Sequence, residues 1–203
     1  MDNKTKIHLS TFEMDLVNNT EWILTKNIVL KKAEYLLDQV QQHVIPVTKH
    51  NAPLFPAEII AISPKISRGE NYNGLPWRML DYPRWFDKEN VFAVRTMFWW
   101  GNFFSTTLHL SGVYKQKYVD SIGRFYDDLC KGLFFYCIND DPWQHHFGKE
   151  NYLPVEDFSP TEFSELLDKR SFIKLSAKLP LSEWDRATAF LSGNFERIVR
   201  WLG

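Results

Sequence analysis

The stretch Val91–Ser111, VFAVRTMFWWGNFFSTTLHLS, decides the fold, because two runs of β-branched and aromatic residues flank Gly101 and Asn102. A Gly-X pair between such runs suits a type II′ turn. It predicts a β-hairpin with Trp100 opposite Phe103, Phe98 opposite Ser105, Thr96 opposite Thr107 and Val94 opposite His109. Side chains alternate along a strand, so this register puts those residues on one face. The other face then holds Trp99, Met97, Arg95 and Ala93 against Phe104, Thr106, Leu108 and Leu110, with Arg95 across from Leu108. An uncompensated buried guanidinium is costly, so Arg95 needs a partner.

Upstream, Leu75 to Trp85 extends the hairpin into a three-stranded antiparallel meander, joined at Asp87-Lys88-Glu89-Asn90. Carrying the register through that loop pairs Phe86 with Val91. It sets Tyr82 opposite Arg95, Arg78 opposite Trp99 and Asp81 opposite Thr96. One face then carries Arg78, Tyr82, Arg84 and Arg95 with Trp99, a basic and aromatic surface suited to a carboxylate or a flat anionic ligand. The other carries Asp81, Thr96 and Thr107 in one row, with Ser105 and His109 one step to either side. The candidate ligand-binding residues are Arg78, Asp81, Arg95, Trp99 and His109. Each has a plain structural alternative: an Arg on a sheet is commonly held by a carboxylate or a Trp face, and a His among Thr and Ser is commonly a hydrogen-bonded or exposed residue.

The rest of the chain supplies cover for this sheet. Ser10-Thr11-Phe12-Glu13 has capping-box spacing, and Val29, Ala33, Leu36, Leu37, Val40 and Val44 recur at helical intervals until Pro46, where the helix should stop near Ile45. Asn51 to Gly74, rich in Pro and Gly, reads as a connection with strand character only at Ile59 to Ile62. A helix is expected from about Lys115 to Cys130, and Leu133 to Ile138 reads as a strand apolar on both faces. Ser159-Pro160-Thr161-Glu162 starts a second capped helix that ends near Lys169. Phe172 to Leu179 fits either period, and helix is the preferred reading. From Ser182, a stripe of Trp184, Ala187, Leu191, Phe195, Ile198 and Leu202 marks a C-terminal helix. The expectation is one α+β domain over residues 1–203: a mostly antiparallel sheet, from about 75–111 plus 131–138, covered by N-terminal, central and C-terminal helices.

Totals exclude several function classes. The 203 residues include 8 Trp and 16 Phe, a surplus that means a heavily packed interior or a ring-lined pocket. A formal net charge of −1 removes the usual signature of nucleic-acid binding. No apolar run reaches the about 20 residues of a membrane helix, and the polar start has no apolar signal core, so a cytoplasmic location is expected. Cys130 and Cys137 read as reduced thiols rather than a disulfide or zinc pair. Phosphate loops, Gly-x-Ser-x-Gly and metal-ligand spacings are all missing, so no cofactor and no metal are expected.

The functional expectation is a non-catalytic module that binds a small anionic ligand or a partner protein through the Arg and Trp residues of the sheet. The alternative is an enzyme using Asp81 with His109, or Asp140 with His145 or His146, for acid–base or metal-assisted chemistry. The loop Asn139 to His146 otherwise reads as a polar Asx-Pro turn. Homo-oligomerisation through the surplus aromatics is a third reading.

Overall fold

In a computed structural model, which describes residues 7–203, the expected α+β architecture is present. Helices α1 (Thr11–Asn18) and α2 (Thr20–His50) lead into a short helix, α3 (Ala57–Ile60). Strands β1 (Lys65–Tyr72), β2 (Leu75–Phe86), β3 (Val91–Trp99) and β4 (Phe103–Ser111) follow as a meander. Then come α4 (Gly112–Gly123), α5 (Tyr126–Lys131), β5 (Phe135–Cys137), β6 (Tyr152–Pro154), α6 (Pro160–Lys169), β7 (Phe172–Pro180) and α7 (Ala187–Trp201). The seven strands form one antiparallel sheet in the order β1-β2-β3-β4-β7-β5-β6.

The helices bury one face of this sheet. Phe92, Val94, Phe98, Phe104, Leu108, Leu110, Ile173 and Leu175 point into a core shared with Leu37, Val40 and Val44 of α2 and with Leu191, Phe195 and Ile198 of α7. The capping boxes at Ser10 and Ser159 are both formed, each with its Glu three residues on.

The helix expected from about Lys115 to Cys130 divides into α4 and α5 at the turn Arg124-Phe125, and the strand expected over Leu133 to Ile138 shortens to Phe135–Cys137. Four further elements depart from the sequence reading. Helix α2 does not stop at Ile45: Pro46 sits inside it. Val44 and Thr48 are both buried, and the Thr48 hydroxyl donates to the Val44 carbonyl at 2.8 Å, so packing outweighs the lost backbone donor. Ile59 anchors a helical turn instead of a strand. Within the supposed connection, β1 forms because its backbone pairs with β2, although its side chains are largely polar. Phe172 to Leu179 is a strand, since β4 and β5 flank it on either side, and long-range pairing overrides its mixed periodicity.

The hairpin itself forms with a one-residue slip. Trp99 pairs with Phe103, so the loop is Trp100-Gly101-Asn102. The Asn102 amide donates to the Trp99 carbonyl at 3.1 Å, and Gly101 takes φ +71° at the third turn position, as a type II turn requires. Thr96 therefore faces Thr106, Arg95 faces Thr107 and Ala93 faces His109. The outer register begins as expected, with Phe86 opposite Val91, and then shifts between Asp81 and Arg84, where Pro83 has no N–H to give the ladder. Asp81 consequently lies opposite Arg95, not Thr96, and Arg78 lies opposite Phe98, not Trp99.

Candidate functional site

The slip and the bulge together build a polar row across the face away from the helices. Lys65, Asp81, Arg95, Thr107 and Ser176 stand side by side on β1, β2, β3, β4 and β7. His109 and Lys174 pair one step along on one side, with Ser105 and Lys178 on the other. Two apolar groups frame this strip: Met79, Met97, Trp99 and Phe103 at one end, and Cys137, Tyr152 and Phe172 at the other.

The segment between β5 and β6 lies over this face as a strap. It opens with the expected Asx geometry, in which the Asp141 amide donates to Asn139 Oδ1 and the Trp143 amide to Asp141 Oδ1, both at 2.9 Å. Lys174 Nζ donates to the carbonyls of Pro142 and Gln144, and Arg170 reaches those of Ile138 and Asn139. The Tyr72 hydroxyl accepts from the amides of His145 and His146 at 2.7 and 3.2 Å. Phe147 stacks on Tyr152 with centroids 4.7 Å apart and meets Phe103 and Phe135 edge-on.

Beside the strap, β1, β2 and β3 leave a cleft of about 660 Å³, within the range of small-molecule sites. Asp81, Arg84, Arg95 and Lys65 are its charged lining, together with Asp87 at one end. Tyr72, Trp77, Phe86, Trp143 and His145 supply ring surface. Arg95 is fully engaged: Nε and Nη2 donate to the two Asp81 carboxylate oxygens at 2.7 and 3.0 Å, Nη1 lies 3.3 Å from His145 Nε2, and the guanidinium sits 5.8 Å from the Phe86 ring. This bidentate pair is the partner that a buried Arg95 demanded. Arg84 differs, because its Nε is buried without any hydrogen-bond partner. Among the described residues neither Arg84 nor Lys65 forms an ion pair. Asp87 is spoken for by the β2–β3 turn, whose Glu89 and Asn90 amides hold its carboxyl down to about 2.

The five expected binding residues thus divide. Asp81 and Arg95 line the cleft as a pair, and Trp99 shares their face, donating its indole N–H to the Tyr72 carbonyl at 3.2 Å. Arg78 lies on the opposite face, because the register shift reverses its direction; its Nε donates to Glu34 of α2 at 2.6 Å. His109 shares the face of Arg95 but is sealed under the strap, against Trp143 and Phe172. Burial, with Lys174 and Arg95 adding repulsion, pushes its pKa down to about 3. The same causes hold His145 well below the ordinary imidazole value, and burial lowers Lys174 to about 8.

The second expected cluster does not converge. Asp140 is exposed and paired with Arg170 at 3.1 Å, His145 turns inward to Arg95, and His146 faces Glu150 at 3.6 Å. Among the described residues no group of three or more His, Cys, Asp and Glu is placed to hold a metal ion. Nor, among those residues, is any helix long and apolar enough to cross a membrane. The sequence reading missed Lys65, Tyr72 and Trp143, which belong to a strand hidden by polar residues and to a loop whose coverage of the sheet has no local signal. It placed Arg84 on the basic face suited to an anion but not among the five candidate ligand-binding residues. No family model, no curated protein and no solved structure matches this chain.

Proposed function

We propose that the cleft between β1, β2, β3 and the strap binds a small ligand with an anionic group on a flat apolar body. Arg84 and Lys65 take the anion, and Trp77, Trp143 and Phe86 take the ring. The observation that carries this reading is a pair of cations, Arg84 and Lys65, that line the cleft without an ion-pair partner among the described residues, beside an Arg95 already neutralised by Asp81. A carboxylate or sulfonate entering there supplies the counter-charge that these two side chains lack within the chain. Acid–base catalysis through Asp81 and His109 is the weaker reading, since Asp81 accepts from Arg95 through both oxygens and His109 is only 5% exposed.

The test is titration with planar aromatic carboxylates, followed by tryptophan fluorescence and calorimetry. Affinity should fall at least tenfold for Arg84→Gln and several-fold for Lys65→Gln, with thermal midpoints preserved. The corresponding uncharged amides should bind weakly, and added salt should weaken the acids selectively. Equal affinity of acids and amides, or full affinity in both variants, would refute the assignment.

A further inference from the structure

The described residues expose fifteen large apolar side chains, and eleven of them lie between Ile7 and Tyr35. Helix α1 buries none of its residues, and α2 buries none before Leu30. An eight-residue helix and the first turns of another do not persist in water on backbone propensity alone. Leu24, Ile28 and Tyr35 share one face of α2, whereas Trp22 and Ile23 lie toward the side of the core stripe, Trp22 edge-on to Trp100.

We infer that a second copy of this chain covers the exposed face formed by Leu24, Ile28 and Tyr35, through antiparallel two-fold pairing of the N-terminal part of α2. The spacing on α2 supports one occupant. Glu21, Leu24, Ile28, Lys31 and Tyr35 recur at intervals of three and four, the heptad seam of a coiled coil. This seam lies opposite the stripe of Ala33, Leu37, Val40 and Val44 that packs on the core. Its charges are ordered, with Glu21 toward the N-terminal end and Lys31 beyond the apolar pair. A two-fold axis level with the midpoint of Leu24 and Ile28 sets Leu24 on Ile28 of the other copy and Glu21 on Lys31 of the other copy, each contact made twice. Parallel pairing would set Glu21 against Glu21 and Lys31 against Lys31. A membrane surface fits less well, because residues 7–35 set Glu13, Asp15, Glu21 and Glu34 against Lys26, Lys31 and Lys32, whereas helices that lie on anionic lipid carry an excess of Lys and Arg.

Sedimentation of the full chain over a range of micromolar concentrations should give a reversible monomer–dimer equilibrium. Leu24→Asp and Ile28→Asp should each raise the dissociation constant at least tenfold while leaving the circular dichroism of the core unchanged, since both side chains are exposed. Glu21→Lys and Lys31→Glu should each weaken self-association, and an equimolar mixture of the two should restore a dimer, because only the mixed pair recovers both ion pairs. A chain that stays monomeric throughout, charge variants that show no restoration on mixing, or a monomer that instead sediments with anionic vesicles would overturn the inference.

Discussion

At the scale of single residues, the polar row on the sheet is stable because its buried charges answer one another. Asp81 and Arg95 are both largely buried and bidentate. Asp81→Asn leaves the guanidinium uncompensated, and chemical denaturation should register a loss of about 3 kcal/mol. His109 has no such answer for a proton. Its pKa lies near 3 in the folded chain and at about 6.5 when unfolded. The unfolded state therefore binds more protons throughout that window, and stability present above pH 6.5 is lost as pH falls toward 3. The slope should reach roughly 1.4 kcal/mol per pH unit for this one histidine, with His145 adding in the same direction. His109→Phe should flatten the acid limb of a stability–pH profile; an unchanged limb would show that other groups set it.

At the scale of elements, much of the fold was legible. The hairpin, the meander and both capping boxes follow from local patterns that the structure repeats. What could not be read was register. A two-residue and a three-residue turn at Trp100-Gly101-Asn102 differ by one position, and that position exchanges the companions of Ser105, Thr107 and His109 from Thr96 to Arg95. Likewise the shift beside Pro83 sends Arg78 to the helices and leaves Arg84 in the cleft. Strand β1 was obscured for a different reason: it is an edge strand, so its polar side chains carry no period-two signal. Its Gly69 has a specific task. A Cβ there would sit 2.5 Å from the Trp77 ring, so glycine lets the indole lie against the β1 backbone beside the cleft. Gly69→Ala should displace Trp77, shift its fluorescence and weaken aromatic ligands several-fold, with little change in thermal midpoint.

At the scale of the whole molecule, one sheet separates two regions with different tasks. Helices fill one side; the other keeps a charged strip under a strap and opens at the cleft. The strap is held by two buried or half-buried cations, by the Tyr72 hydroxyl and by Phe147 packed among Phe103, Phe135 and Tyr152. Lys174→Met should therefore speed amide exchange across residues 139–147 well beyond any change in the helical layer, measurable by mass spectrometry. The fastening also has a lasting effect on what such a chain can become. Because Lys174 and Arg170 grip main-chain oxygens, which every amino acid offers alike, the side chains of Trp143 and His145 are not needed as fasteners at those points. Substitution there can retune what the molecule selects while the loop keeps its course, so new preferences lie within a few mutational steps of the present one.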